Sequence, residues 1–339
     1  MEIIYLFYIG SYSHLIVSDA IINEKHLPLG KVLFVTYRGV KLPKCYEGNL
    51  LYDETNIGSR VKFFFKNYRR FKLLTRKKIV RAYLPFQQEF PVFKLFDEYY
   101  FFEEGLSAYD TSLNFSVFNR KRFLKLTFKQ HLLALFFDKN MRGLYNGITN
   151  GSPFSFECTL VGLTKESYKN ILLDNCHYEM VQFTGKPLNK SEIKNSVIIV
   201  MDSTHASDRM NSADNYLQIL SDVLKNYDFK SRDIFLKLHP DNYRDKAEAL
   251  SLIKKYLNFI EFEEIDESLE DIALSNQNNT FIGNHSTILF YAPIYGNSNE
   301  SISLARITAE RDSTYCKWVK RWGGIDGLIN LIQKEVHCL

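Results

Sequence analysis

The sequence predicts an α/β protein built from two parallel-sheet domains. Three observations predict it. The chain has 339 residues, whereas a single domain takes roughly 100–200. In the second half, apolar runs of strand length alternate with segments of helical period. Those runs are continuous rather than alternating, as expected for strands buried on both faces of a parallel sheet.

The elements follow in order. EIIYLFYI (2–9) reads as a buried strand, then a Gly-Ser turn and a helix in HLIVSDAII. KVLFVTY (31–37) is a second strand, and the basic stretch after Arg60 reads as mostly helical. FDEYYFFEEG (96–105) is a strand ending at Gly105, and KRFLKLTFKQHLLALFF (121–137) has helical spacing. The second half gives strand NSVIIVMD (195–202), helix NYLQILSDVLKNY (215–227), strand DIFLKLHP (233–240) and helix KAEALSLIKKYL (246–257). Strand NFIEFEE (258–264), helix SLEDIALS (268–275) and a strand–turn–helix over 279–296 complete it. The halves meet near 180–195. The reading gives an N-terminal domain over 1–185, a C-terminal domain over 195–312, and a C-terminal helix in 313–339 that packs across the junction.

Composition excludes several classes. With 45% hydrophobic and 24% charged residues, neither disorder nor a collagen repeat fits. The five cysteines (Cys45, Cys158, Cys176, Cys316, Cys338) are odd in number and form no C-x-x-C pair. This argues against a disulfide scaffold or zinc ribbon and for a reducing compartment. No run reaches the roughly 18–20 apolar residues of a membrane span. MEIIYLFYIGSYSH lacks a basic leader and reads as a strand, so the cytoplasm is the expected location.

Charge is uneven. Residues 1–180 hold 25 Lys+Arg against 17 Asp+Glu, or +8, and the remainder hold 18 against 22, or −4. Residues 60–81 carry ten basic residues and no acidic one, and 119–129 form a second basic stretch. Solvated helix faces, an anionic membrane footprint and single-stranded nucleic acid all suit basic residues interleaved with aromatics. No nucleic-acid module is recognisable, so no nucleic-acid partner is expected.

Four clusters could carry chemistry. Glu103-Glu104-Gly105 ends an aromatic strand, so its two carboxylates point to opposite faces. One either caps the loop or serves as a general base at the mouth of an apolar site. His239-Pro240 closes a strand at its carboxyl end, where ligands of parallel sheets bind. Its imidazole either meets a phosphate or satisfies backbone groups. Asn284-His285-Ser286-Thr287 opens a helix, giving either an ordinary cap or an anion site. Asp202-Ser203-Thr204-His205 follows another strand, as a polar loop or as part of the same lining. No H-E-x-x-H, Walker A or G-x-G-x-x-G is present. A phosphate-binding enzyme without a metal site must use imidazole, hydroxyls and backbone N–H groups.

In this order the motifs resemble those of bacterial sialyltransferases: a D/E-D/E-G motif, here EEG at 103–105, then H-P at 239–240 and an S/T motif at 286–287. The resemblance implies a GT-B fold of two Rossmann-like domains facing a central cleft. It implies inverting transfer of sialic acid from CMP-sialic acid, without metal or cofactor. Carried over, Glu104 is the general base and His239 contacts the CMP phosphate and assists its departure. Pro240 shapes that turn, and Ser286 and Thr287 hold the phosphate, with Ser203 and Thr204 nearby. Glu267 binds the ribose or cytosine, with Glu264 as rival. Glu103, Ser11 and His14 are assigned to the acceptor. The first motif has two Glu where Asp often stands as the base.

The basic first half resembles enzymes that sialylate lipopolysaccharide, O-antigen or capsule at the inner face of the cytoplasmic membrane. The expected acceptor is then a lipid-linked glycan ending in galactose or N-acetylgalactosamine, joined α2,3, with residues 60–81 touching anionic membrane. An α2,8-polysialyltransferase or a transferase using another CMP-sugar is the alternative. A non-enzymatic basic protein binding membrane or nucleic acid is the distant one.

Overall fold

A computed structural model describes residues 1–37, 40–54, 70–85, 96–103, 105–109, 157–169, 176–183, 186–202, 212–229, 231–239, 245–322, 326 and 337–338. The chain divides into two compact units, Met1–Thr184 and Gly185–Leu339.

Among the described residues the first unit holds a seven-stranded sheet in the order β3-β2-β1-β4-β5-β6-β7. The strands are β1 (Ile3–Ile9), β2 (Val32–Tyr37), β3 (Leu50–Glu54), β4 (Ile79–Pro85), β5 (Glu98–Phe102), β6 (Cys158–Gly162) and β7 (Cys176–Met180). Every pairing is parallel. Helix α1 (Tyr12–Glu24) follows β1; Ser11 caps it by accepting from His14 N. Its buried residues include Leu15, Ile16, Val17, Ile21 and Ile22, which seat it against the sheet core.

The high aromatic content has a structural use here. Phe34, Phe7, Tyr83 and Tyr100 sit on β2, β1, β4 and β5 as successive register partners. Phe7 and Tyr83 stack at 4.5 Å between centroids, and Tyr83 and Tyr100 at 4.6 Å. Phe7 meets Phe34 at 5.8 Å. Such pairs add about 0.5–1.5 kcal/mol each beyond burial, so the row fixes register across four strands.

The second unit holds a six-stranded sheet among the described residues, in the order β10-β9-β8-β11-β12-β13. Its strands are β8 (Val197–Val200), β9 (Ile234–Lys237), β10 (Glu263–Glu264), β11 (Thr280–Gly283), β12 (Glu300–Ser303) and β13 (His337–Cys338), again all parallel. The helices are α2 (Ala213–Leu224), α3 (Lys246–Tyr256), α4 (Leu269–Leu274), α5 (Thr287–Tyr295), α6 (Ala305–Arg311) and α7 (Ser313–Trp318). Strands β8 and β11 are wholly buried, as their apolar runs predict.

Both sheets therefore wind as Rossmann sheets do: outward from a founding strand on one side, then outward on the other. The direction reverses between β1 and β4, and again between β8 and β11. In open parallel sheets that reversal leaves a crevice at the carboxyl ends of the two strands, where ligands bind.

Several elements differ from the sequence reading. The helix expected through 60–81 is present over 70–75 within the described part. It stops because Lys77 takes a left-handed conformation (φ 60), after which β4 begins at Ile79. NFIEFEE contributes only the two-residue β10. The segment 313–339 is not one helix: α7 passes into a 3-10 turn over Val319–Trp322, and His337–Cys338 pairs as a strand with β12. Trp318 packs inside the second unit, on His285 at 4.4 Å. Strands β3, β4, β6, β7, β12 and β13 were not expected. The helix predicted for 121–137 lies outside the described residues.

Candidate active site

In the first unit the chemistry-bearing residues gather at the carboxyl ends of the strands. Glu103 directly follows β5 and is 1% exposed. Its Oε1 accepts from the Tyr109 hydroxyl at 2.8 Å. Its Oε2 accepts from Leu163 N at 2.8 Å and from Ser167 Oγ at 2.7 Å. Burial and the adjacent carboxylate push the Tyr109 hydroxyl well above its ordinary pKa, so it stays a donor. Gly162 allows this closure. A Cβ there would sit 2.5 Å from Ser167 Cβ. Gly105 takes φ 60, a turn that glycine makes without strain.

This geometry corrects the reading of Glu103 as an acceptor ligand. Both oxygens are occupied by donors from its own unit, which makes Glu103 an internal anchor for the turn. Glu104 lies outside the described residues. The acceptor reading of His14 is corrected likewise. His14 is 1% exposed, its Nδ1 accepts from Gly10 N at 3.0 Å, and its ring meets Phe102 edge-on at 5.6 Å. It ties the end of β1 to the end of β5. The Ser11 hydroxyl is used as the cap of α1, accepting at 3.2 Å.

In the second unit, three neighbouring strands bring the other motifs to one end of one sheet. His239 stands just beyond β9, half-buried. Two positions earlier, Lys237 donates to the carbonyls of Ile265, Asp266 and Glu267 at 3.3, 2.9 and 2.8 Å. Burial lowers the Lys237 pKa, and the carboxylates of Asp266, Glu270, Glu264 and Glu267 pull it back. The lysine thus pins the loop bearing Glu267. The Glu267 side chain is exposed and accepts from Ser191 Oγ at 2.7 Å, while Glu264 pairs with Lys246 at 2.7 Å. Sequence reasoning passed over Lys237, although a lysine inside an apolar strand was a legible signal.

Ser286 and Thr287 open α5 beyond β11. Ser286 is the N-cap, yet its hydroxyl makes no capping bond, and no acidic residue occupies the first turn. The free N–H groups and the helix dipole there suit an anion. Asn284 is 0% exposed, and neither its Nδ2 nor its Oδ1 finds a partner among the described residues. An unmet buried amide costs about 1–3 kcal/mol, so this turn carries hydrogen-bonding capacity that the described residues do not use. Asp202 ends the β8 segment, with Oδ2 3.5 Å from Nδ1 of His285. Pro240, Ser203 and Thr204 lie outside the described residues.

A groove of about 1210 Å³ lies at the other end of this sheet. It is lined by residues that precede or start the strands, among them Asn195, Arg232, Thr280 and Glu300. Arg232 is already engaged there with Thr280 Oγ1 and the Tyr227 hydroxyl. The imidazole and hydroxyl groups of the motifs stand at the carboxyl ends instead.

Comparison with known proteins adds the following. A sialyltransferase from Photobacterium damsela covers 100% of this chain and 81% of its own, at 11% identity and TM-score 0.49. The S. aureus MnaA–UDP structure covers 99% and 92%, at 9% identity and TM-score 0.47. A UDP-GlcNAc 2-epimerase from Neisseria meningitidis, bound to UDP-GlcNAc, covers 90% and 82%, at 12% identity and TM-score 0.42. A search of curated proteins returns no match. The family model described as alpha-2,8-polysialyltransferase (POLYST) matches residues 54–305. That match covers more than half of the sequence and reaches into both parallel-sheet units, so the chain belongs to the alpha-2,8-polysialyltransferase family and is a glycosyltransferase.

Proposed function

We propose that the chain is an inverting, metal-independent sialyltransferase of GT-B type that moves sialic acid from CMP-sialic acid to a hydroxyl of a bacterial surface glycan. The observation that carries this is the shared sheet end of the second unit. There the ends of β9 and β11 hold His239 and the Ser286–Thr287 helix start, on either side of β8. These groups suit a departing nucleotide phosphate.

The chemistry has two demands. Sialic acid leaves through an oxocarbenium-like state, so the enzyme must stabilise the departing CMP. His239 gives an imidazole donor, and Ser286 and Thr287 give hydroxyls with backbone N–H groups behind them. The acceptor hydroxyl must also lose its proton. Glu104 is the proposed base, and Glu103 and Gly105 define the turn that carries it. Glu267 is the proposed ribose ligand, on the loop that Lys237 pins.

The sequence favoured a terminal galactose joined α2,3. The family's description supports an α2,8 linkage, so a glycan already ending in sialic acid becomes the preferred acceptor. We place the reaction at the cytoplasmic face of the membrane, on a lipid-linked acceptor. In support, Leu73 and Leu74 are 73% and 37% exposed, flanked by Arg70, Lys72, Arg76 and Lys77. No helix among the described residues is long and apolar enough to cross a membrane.

The test is incubation with CMP-N-acetylneuraminic acid, galactoside and sialoside acceptors, and excess EDTA, followed by mass spectrometry. A ladder of added sialic acids on the sialoside supports the polymerising reading. A single addition to the galactoside restores the first one. No product on either, together with no saturable CMP binding, overturns the donor assignment.

A further inference from the structure

We infer that Asp202 and His285 form a positioning pair that aims the start of α5, and with it Ser286 and Thr287, at the phosphate of the donor. The inference rests on the donor reading above and adds two residues to it.

The turn between β11 and α5 contains only Asn284, His285 and Ser286, so its direction decides where the N–H groups of α5 point. It is held from three sides. From β12, the Ser303 hydroxyl donates to the Asn284 carbonyl at 2.6 Å. From β8, the Asp202 carboxylate stands 3.5 Å from His285 Nδ1. From α7, Trp318 and Tyr315 pack on the imidazole at 4.4 and 5.4 Å. Helix α7 is itself anchored. Asp312 accepts from Thr314 N and Tyr315 N, and its other oxygen accepts from Asn215 on α2 at 2.8 Å.

Topology gives this contact its meaning. Strands β8 and β11 flank the reversal of winding in the second sheet. They approach so closely that a Cβ on Gly283 would lie 2.8 Å from the Val200 carbonyl. Asp202 follows one of these strands and His285 the other. The pair therefore spans the crevice where a parallel sheet binds its ligand. Both side chains are buried, and burying a carboxylate costs free energy unless a cationic or donor group faces it, as the imidazole does here. The Ser286 hydroxyl, next in sequence to His285, has no capping duty. Its direction is set by the residue before it, and Asp202 and His285 act through it.

The test measures CMP affinity by calorimetry, and turnover with KM values for donor and acceptor. The proteins are wild type, His239→Ala, His285→Ala, His285→Asn and Asp202→Asn. Removing a residue that orients a ligand-binding group typically costs about 10- to 100-fold at metal sites, and the same order is expected here. The expected result is a loss of that size in CMP affinity and kcat for His285→Ala, with acceptor KM unchanged. His285→Asn, which keeps a donor toward Asp202, recovers most of it. If His285→Ala does not fold, Asp202→Asn carries the same expectation. Variants that lose thermal stability but bind CMP and turn over as wild type does overturn the pair. Wild type that binds no CMP overturns the donor reading and the pair with it. Wild type that binds while only His239→Ala fails overturns the pair alone.

Discussion

The Tyr109 hydroxyl donates to Glu103 at 2.8 Å, and the same carboxylate receives Leu163 N and Ser167 Oγ. Three elements thereby close on one buried charge: the end of β5, the turn after Gly105 and the loop after β6. Glu103, the first member of the acidic pair, thereby builds the turn.

Glu103→Ala removes the acceptor those three donors share, leaving the Tyr109 and Ser167 hydroxyls only each other and Thr164 among their side-chain partners here. With hydrogen bonds to charged groups contributing about 1.5–3 kcal/mol each, the expected loss of stability exceeds about 3 kcal/mol. Glu103→Gln should fall between, and Tyr109→Phe should cost about 1–2 kcal/mol. Denaturant unfolding measures all three. An alanine variant as stable as wild type would show that the cluster closes without its acid.

Lys237 gives a pH signature. Its folded pKa lies below the ordinary 10.5 because of burial. Between the lowered value and 10.5 the unfolded chain holds more protons, so this group makes stability rise with pH. Below that window, the cost of burying the ammonium is present in full. Wild type should therefore gain on Lys237→Met as pH climbs from neutrality toward 10.5. Parallel unfolding curves across that range would contradict it.

Cys158 and Cys176 are register partners on β6 and β7, with sulfurs 3.4 Å apart. Neighbouring strands lie about 4.8 Å apart, inside the Cα separation a disulfide spans. Exchange with oxidised glutathione should join the sulfurs and release two glutathione thiols. The hydrogen bond with Cys176 and burial raise the Cys158 pKa, so the reaction should be slow at neutral pH and faster in alkali. Peptide mapping should find a Cys158–Cys176 disulfide, and Cys158→Ala should abolish it.

Leu73 and Leu74 supply the apolar part of the proposed membrane contact. Burying one leucine contributes about 1.5 kcal/mol or more, roughly tenfold in partitioning. Leu73→Ser with Leu74→Ser should release the protein from phosphatidylglycerol vesicles by at least about tenfold. Phosphatidylcholine vesicles should bind wild type weakly. Equal binding to both lipids would remove the charge argument.

For catalysis, Glu104→Gln and His239→Ala should each lower kcat by about 10²–10³-fold while the proteins stay folded. Steady-state transfer assays check it. Full activity in both would dismiss the site.

Strands buried on both faces were readable, since IIYLFYI and VIIV are unbroken apolar runs and TFIG is polar only at Thr280. Edge strands were not. In β7 the sequence CHYEM is half-exposed, and its pairing, not its composition, makes it a strand. Strand β4 hid inside the basic stretch because Arg81 is satisfied across the sheet by Glu98, at 2.7 Å. The motifs at strand ends were legible because strand ends are sharp. The contact of His285 with Asp202 was not, because it joins residues far apart in sequence through the sheet order.

The edges of the second sheet have a consequence for the protein in concentrated solution. Among the described residues its outermost strands, β10 and β13, are two residues each, and β10 is a pair of glutamates. Short and charged edges give a neighbouring molecule little backbone to pair with. The second sheet is thereby guarded against edge-to-edge aggregation, and replacing Glu263 and Glu264 by valine would turn that guard into a template for fibres.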